Sequence, residues 1–217
     1  MLVGGIEFDF HNIERKPKTK PKPTQEQPSR ILNTEELRLV ERTKVVTLCG
    51  YSHITAASWV SGHEKKAQRE FRHAKDSGDV ATIERAAIAI CGVITRILRS
   101  AAGYTIIPAC VGRSEPDNHF ATKMAQMVAN KLELNAETIY QRRGHAWALD
   151  VEIRRNVKLD KEPPSTPILL LDDVITTGAT MAGCLDRLGG HNHPVISLGW
   201  INGAIKSEQA NPSFEPN

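Results

Sequence analysis

Aromatic residues and cysteines are scarce in this chain. Phe, Trp and Tyr make up 5% of its 217 residues, so Ile, Leu, Val and Ala must supply most of any core. The four cysteines form no C-x-x-C pair and show no metal-ligand spacing; they are Cys49, Cys91, Cys110 and Cys184. We therefore expect free thiols in a reducing compartment and predict a cytoplasmic protein.

The chain also lacks a long apolar run and a strong charge of either sign. No run approaches the roughly 20 residues that span a bilayer. The apolar start, MLVGGIEFDF, has no basic segment before it, so neither a membrane span nor a secretory signal is predicted. The net charge is +3. This mild excess suits phosphorylated small molecules, but it does not by itself indicate nucleic-acid binding.

The first thirty residues have their own composition. An apolar peg at residues 1–10 is followed by ERKPKTKPKPTQEQPSR at residues 14–30, where Lys alternates with Pro. A segment of this kind cannot bury enough apolar surface to fold, so residues 1–30 are predicted to be a peg and an extended linker. The alternative is a basic arm that contacts a nucleic-acid or protein partner.

Residues 31–102 are predicted to form a helical region. Asn33 and Glu36 have the spacing of a capping box, residues 54–75 have a helical pattern, and residues 44–51 either end a helix or form a strand. A long helix is predicted for residues 80–102. Its apolar stripe is Ile83, Ala87, Ile90, Ile94 and Leu98.

From residue 103 the pattern changes to alternating strands and helices. Strands are predicted at residues 104–108, 137–140, 168–171 and 195–201, with helices at 119–132 and 179–188. This order predicts an α/β core with a parallel sheet over residues 103–203. Residues 204–217 are polar and are expected to form a flexible tail.

The segment PILLLDDVITTGATM, residues 167–181, contains the strongest functional pattern. Its apolar run fits a strand that is covered on both faces, and ligands of α/β proteins bind beyond the carboxyl ends of such strands. Adjacent carboxylates at Asp172 and Asp173 suit sugar hydroxyls or a hydrated magnesium ion. The small, hydroxyl-rich turn that follows opens a helix, which favours a bound phosphate. Acids beside a phosphate cradle predict a site for a ribose 5-phosphate group.

This segment resembles the phosphoribosyl-diphosphate (PRPP) motif of type I phosphoribosyltransferases, in which two acids and two apolar residues precede T-T-G-x-T. The resemblance implies a Rossmann-like core and Mg²⁺ as cofactor. It also implies that Asp172 and Asp173 are catalytic, and that they hold the ribose and reach the metal through hydroxyls or water. The whole PRPP-binding set would be Asp172, Asp173, Val174, Ile175, Thr176, Thr177, Gly178, Ala179 and Thr180.

Two further segments resemble parts of the same family. IIPACVGR, residues 106–113, resembles the pyrophosphate loop, whose members here would be Ala109, Cys110, Val111, Gly112 and Arg113. Residues 141–166 match the mobile hood loop in position. Arg142 and Arg143 are the candidate catalytic arginines there, and Arg154 or Arg155 could also close over the leaving diphosphate, since guanidinium suits phosphate oxygens.

Over residues 100–203 the order of motifs resembles most the ComF-like, competence-associated branch. Many ComF-like proteins begin with a cysteine zinc ribbon, whereas Cys49 and Cys91 are the only cysteines in the first hundred residues here, so that ribbon is absent. Thr176 stands where hypoxanthine–guanine enzymes carry an acidic base. Adenine-, orotate- and ComF-like assignments stay open.

The resemblance implies transfer of a phosphoribosyl group from PRPP to a nucleobase-like acceptor with release of pyrophosphate. Family members often dimerise, which makes a homodimer one expectation. The alternatives are a non-catalytic regulator that senses PRPP or a nucleotide, and an accessory protein in DNA uptake or defence. Trp200, at the end of the last strand, either contacts a base or packs in the core.

Overall fold

The computed structural model describes residues 37–109, 119–141, 150–189 and 193–203. Six strands and five helices occur in these ranges. In chain order they are β1 (Leu39–Leu48), β2 (Tyr51–Trp59), α1 (Glu64–Ser77), α2 (Val80–Ile97), β3 (Thr105–Pro108), α3 (Phe120–Leu132), β4 (Asn135–Ala136), α4 (Asp150–Asn156), β5 (Ile168–Ile175), α5 (Ala179–Leu188) and β6 (Val195–Asn202).

The six strands form one sheet in the order β1-β2-β6-β5-β3-β4. Every neighbouring pair is parallel except β1 and β2, which form an antiparallel hairpin at one edge. The predicted α/β fold with a parallel sheet is therefore confirmed. No helix in the described ranges is long and apolar enough to cross a membrane.

The hairpin replaces part of the predicted helical region. A helix was expected from Ile54, but β2 runs from Tyr51 to Trp59 and pairs with β1 on one side and with β6 on the other. Cys49 and Gly50 form its two-residue turn with φ of 53° and 84°, the double positive φ that a tight hairpin needs. The helix prediction was wrong here because pairing with the distant β6 decides the conformation. The expected capping box at Asn33 and Glu36 lies outside the described residues.

The two helices α1 and α2 follow the predicted pattern more closely. Gly78 ends α1 in the left-handed conformation, with φ of 65°, and Asp79 caps α2 by accepting a hydrogen bond of 3.0 Å from Thr82 N. The predicted α2 stripe is buried from Ile83 to Ile94. The helix ends at Ile97, five residues earlier than expected.

Two strand predictions need correction. The strand expected at residues 137–140 is absent from the sheet, where β4 pairs with β3 through Asn135 and Ala136, and Tyr140 forms only an isolated bridge with Leu159. The strand expected to end at Leu171 continues to Ile175, because β6 pairs with it along that whole length.

The core lies on both faces of the sheet. Leu169 and Leu171 of β5 pack in the larger cluster with α1, α2 and α3, whereas Ile168 and Leu170 pack in a second cluster with α5. Burial on both faces explains the uninterrupted apolar run of β5. Trp200 is 1% exposed and stacks on Phe120, so it is a core residue.

Candidate functional site

The carboxyl ends of β3 and β5 lie side by side. Pro108, the last residue of β3, pairs with Leu171, and Ala109 N donates a hydrogen bond of 2.7 Å to Leu171 O. The next residues of β5, Asp172 and Asp173, therefore extend past the end of β3. The chain continues from β3 to β4 on one side, while β5 lies on the other. Such a switch point in strand order is where α/β sheets bind ligands.

The two acids point to opposite sides of β5, as adjacent residues of a strand do. Asp172 is partly exposed and lines a cavity of about 170 Å³. Asp173 is 4% exposed and lines a second cavity of about 700 Å³. Each carboxylate also accepts a hydrogen bond from the next backbone N–H, that of Asp173 at 2.8 Å and that of Val174 at 2.7 Å. The acids therefore serve two adjoining cavities.

The smaller cavity contains the predicted phosphate cradle. Asp172, Ile153 of α4 and every residue from Val174 to Met181 line it. Gly178 is the N-cap residue of α5 and has φ of 80°, a conformation that favours glycine. Thr176 and Thr177 are exposed, and α5 begins immediately after them. The exposed hydroxyls and the helix N-terminus together suit a bound phosphate.

The tip of the hairpin packs against this cradle. A Cβ placed on Gly178 would lie 2.7 Å from Leu48 Cβ and 3.5 Å from His53 Nε2. Cys49 Sγ donates to Thr177 O at 3.3 Å. Leu48 and Cys49 belong to residues 44–51, for which the sequence left a helix end or a strand open, and Leu48 ends a strand; no local motif predicted their contact with the cradle.

His53 belongs to a buried polar pair beneath the cradle. Its side chain is 0% exposed, and its Nδ1 lies 2.6 Å from Ser197 Oγ on β6. Burial lowers the pKa of His53, although a backbone hydrogen bond with Leu48 acts in the opposite direction. The neutral imidazole is therefore the favoured form at neutral pH.

Helix α1 contributes a cation to the acid pair. Lys75 Nζ forms an ion pair with Asp173 Oδ2. Burial by itself would lower the pKa of Lys75, but the carboxylates of Asp173, Asp172 and Asp76 outweigh burial and raise it. His119, just before α3, is close enough for the Asp173 carboxylate to affect its pKa, which burial lowers overall. Sequence reasoning missed both Lys75 and His119.

The predicted arginines fall in different places. Arg154 forms a bidentate ion pair with Asp186, in which Nε donates to Oδ2 at 2.5 Å and Nη2 donates to Oδ1 at 2.8 Å. Arg154 Nη1 also donates to Cys49 O at 3.3 Å. Tyr51 completes this cluster by donating to Asp186 at 2.6 Å. Arg155 is exposed. The structure thus places Arg154 in a contact between α4, α5 and the hairpin.

The remaining predicted site residues are not described. Cys110, Val111, Gly112 and Arg113 of the expected pyrophosphate loop lie outside the described ranges, as do Arg142 and Arg143. Ala109 is described and buried at the end of β3. It follows β3 directly, and its hydrogen-bond partner Leu171 precedes Asp172.

Comparisons with known proteins give only distant matches. No protein-family model matches the chain, and no curated protein sequence matches it. Among solved structures, a hypoxanthine phosphoribosyltransferase from Staphylococcus aureus matches with 10% identity over 54% of this chain and 60% of that one, at a TM-score of 0.36. This chain thus matches less than two thirds of that enzyme's length.

Two other solved structures are similar at the same level. An orotate phosphoribosyltransferase from Aeropyrum pernix matches with 16% identity over 74% of this chain and 72% of that one, at a TM-score of 0.34. An HGPRT-ase from Leishmania tarentolae, in complex with GMP, matches with 13% identity over 54% and 61%, at a TM-score of 0.33. These values are too low to assign a function, which must come from the residues of the site.

Proposed function

We propose that this protein is a phosphoribosyltransferase that binds PRPP with Mg²⁺ and transfers the phosphoribosyl group to a nucleobase-like acceptor, releasing pyrophosphate. One observation carries the proposal: Asp172 and Asp173 precede a small, hydroxyl-rich cradle at the start of α5, beside the end of β3. This combination suits a ribose diol next to a monophosphate.

In this proposal different residues bind different parts of PRPP. The cradle, residues 176–180, holds the 5-phosphate through backbone N–H groups and threonine hydroxyls. Asp172, which lines the same cavity, takes one ribose hydroxyl in this proposal, and Asp173 takes the other from the adjoining cavity. The diphosphate then extends toward the loop that begins at Ala109, where Arg142 and Arg143 close over it in this proposal. The protein mainly positions the reactants and stabilises charge that develops as the diphosphate leaves.

The acid pair also fits magnesium in its usual mode. Mg²⁺ prefers oxygen ligands, keeps several waters and is commonly held by one or two carboxylates together with substrate phosphates. Within the described ranges no group of three or more metal-ligating side chains occurs, and in this proposal the diphosphate of the donor and waters complete the coordination. Magnesium bound in this way would neutralise charge on the diphosphate.

The test mixes the protein with PRPP, Mg²⁺ and a panel of nucleobases, and assays pyrophosphate release. Replacement of both acids, Asp172→Asn with Asp173→Asn, should weaken PRPP binding about tenfold or more because charge-assisted hydrogen bonds are lost. Asp160→Asn, which changes an exposed acid elsewhere, is the matched control. Unchanged PRPP binding in the double variant would contradict the site assignment.

A second candidate is a regulator that binds PRPP without transferring it. The observation in its favour is the ion pair between Lys75 and Asp173, which balances the charge of one acid before any donor arrives. Measurable PRPP binding, without pyrophosphate release for any base, would support this candidate and exclude the transferase.

A further inference from the structure

Lys75 lies in the last turn of α1, far in the sequence from the PRPP-like segment. The helix packs in the core through its buried face, where Phe71 is 5% exposed. The Lys75 side chain is 30% exposed, and it lines the larger cavity, of about 700 Å³, together with Asp173. Helix α1 therefore places an ammonium group beside the carboxyl end of β5.

Two neighbours hold this ammonium group. Lys75 Nζ forms an ion pair with Asp173 Oδ2 and lies over the Phe71 ring, 5.5 Å from its centroid. A cation over an aromatic face is attracted to it. The Phe71 ring is itself fixed by edge-on contacts with Phe120 and Trp200, at centroid distances of 5.2 and 5.6 Å. The ammonium group thus has a defined place between an aromatic cluster and the carboxylate.

The Asp173 carboxylate is held at both of its oxygens. Oδ1 accepts a hydrogen bond of 2.7 Å from Val174 N, and Oδ2 pairs with Lys75. A carboxylate offers about four acceptor positions, and these two contacts with described residues use one on each oxygen. Asp173 also lines the larger cavity, so a hydroxyl group there can donate to a position that remains.

The ion pair also accounts for the burial of Asp173, which is 4% exposed. A charge taken out of water is costly unless it is paired and hydrogen-bonded, and removal of one partner leaves the other uncompensated. The neighbouring carboxylate of Asp172 adds repulsion. Without Lys75, the Asp173 side chain would turn toward water or become neutral. In neither state would it offer the same fixed, charged acceptor.

We propose that Lys75 is a positioning residue for the sugar: it holds the Asp173 carboxylate charged and oriented, so that one ribose hydroxyl is bound by a charge-assisted hydrogen bond. The site then distinguishes a sugar phosphate that has this hydroxyl from one that lacks it. This inference rests on the proposed function, which assigns Asp173 to a ribose hydroxyl. It adds a residue of α1 to the determinants of sugar specificity.

Three sugar phosphates test whether Lys75 acts through one hydroxyl. Ribose 5-phosphate has the whole diol, whereas 2-deoxyribose 5-phosphate and 3-deoxyribose 5-phosphate each lack one hydroxyl, and calorimetry measures the three affinities. Lys75→Met should weaken ribose 5-phosphate and one deoxy analogue about fivefold or more, since hydrogen bonds to charged groups are the stronger ones. The analogue that lacks the hydroxyl bound by Asp173 should show only the smaller loss that removal of a nearby positive charge causes for any phosphate.

Further variants separate positioning from a general effect on the fold. Lys75→Arg keeps the charge and should restore most of the preference. Lys75→Gln keeps a donor for Asp173 and should show the pattern of Lys75→Met at smaller size, so the test remains available if the methionine variant does not fold. Lys65→Met, which changes an exposed lysine of the same helix, is the matched control and should leave all three affinities unchanged.

A double variant tests whether Lys75 acts through Asp173. In the Asp173→Asn background, Lys75→Met should have no further effect on the preference among the three sugar phosphates, because residues that act together are not additive. A preference that still changes in this background would mean that Lys75 contacts the sugar itself, and the inference would be wrong.

The outcomes also distinguish this inference from the proposed function. If neither PRPP nor ribose 5-phosphate binds the wild-type protein, the donor site is wrong and the inference falls with it. If both bind, but Lys75→Met and Lys75→Gln weaken the three sugar phosphates by the same factor, the donor site stands and the positioning role of Lys75 is refuted.

Discussion

The ammonium group of Lys75, on α1, forms an ion pair with the buried carboxylate of Asp173, near the end of β5. The pair connects α1, whose Phe71 lies in the core, to one of the two acids of the proposed site. It also separates the roles of the two acids, because Asp172 lines the cradle on the other side of the strand. Removing one partner of a buried pair leaves an uncompensated charge, so α1 and the proposed donor site are energetically coupled.

Gly178 should tolerate no side chain. Its φ is 80°, and an added Cβ would lie 2.7 Å from Leu48 Cβ. Gly178→Ala should therefore lower the free energy of unfolding by about 1–2 kcal/mol from the left-handed backbone alone. The same change should also weaken PRPP binding. Gly92→Ala is the matched control, since a Cβ there meets nothing within 4 Å. That helical change should stabilise the protein by roughly 0.5–1 kcal/mol. Urea unfolding measures both changes, and equal effects would contradict the close packing of the hairpin under the cradle.

His53 should make stability fall as the solution is acidified from pH 7.5 to pH 5.5. Burial lowers the pKa of His53 in the folded protein, so the unfolded chain binds the proton first, and the stabilising contribution present above about pH 6.5 is lost as the pH falls. His53→Gln should therefore reduce this pH dependence, as measured by urea unfolding at the two pH values. Ser197→Ala removes the partner but keeps the imidazole, and should retain the dependence. A His53→Gln variant with the full wild-type dependence would refute the prediction.

Arg154 should contribute to stability and little to the binding of the donor. Its guanidinium is held by Asp186, and that hydrogen bond is the main cause of the lowered pKa of Asp186. Because the pair is partly exposed and screened by solvent, Arg154→Gln should lower the free energy of unfolding only slightly, with the affinity for PRPP nearly unchanged. Arg155→Gln, at an exposed neighbour, is the control. A tenfold loss of PRPP affinity in Arg154→Gln would contradict this prediction and would indicate that Arg154 contacts the diphosphate.

Phe120 should be one of the most costly positions to truncate. Its ring lies 5.2 Å from that of Phe71 and is stacked 6.0 Å from that of Trp200, and the side chain is 2% exposed. Phe120→Ala should lower the free energy of unfolding by about 3–5 kcal/mol, through lost burial and the cavity that remains. Ile88→Ala, at a side chain that is 56% exposed, should change it by about 0.5 kcal/mol or less. Thermal or urea unfolding distinguishes the two.

Local sequence patterns predicted the strand β5 and the start of the helix α5. The run Ile168–Leu171 predicted a strand covered on both faces, and the turn after Asp173 predicted a helix start at Ala179, where α5 begins. These features depend on neighbouring residues, which is why the sequence suffices for them. By contrast, residues 51–59 form a strand because β1 and β6 lie on either side, and no short stretch of sequence records a distant neighbour.

By itself, then, the sequence determined the adjacent acids, the segment proposed as the phosphate cradle and the parallel α/β core, because local patterns along the chain predict each of them. The tertiary structure alone decided that the hairpin packs against Gly178, that Arg154 pairs with Asp186, and that Lys75 balances Asp173 in the wall of a large cavity. The physical reason is that these contacts join segments far apart in the chain. Their partners are selected by the packing of α1 against the sheet and by the pairing of the hairpin with β6.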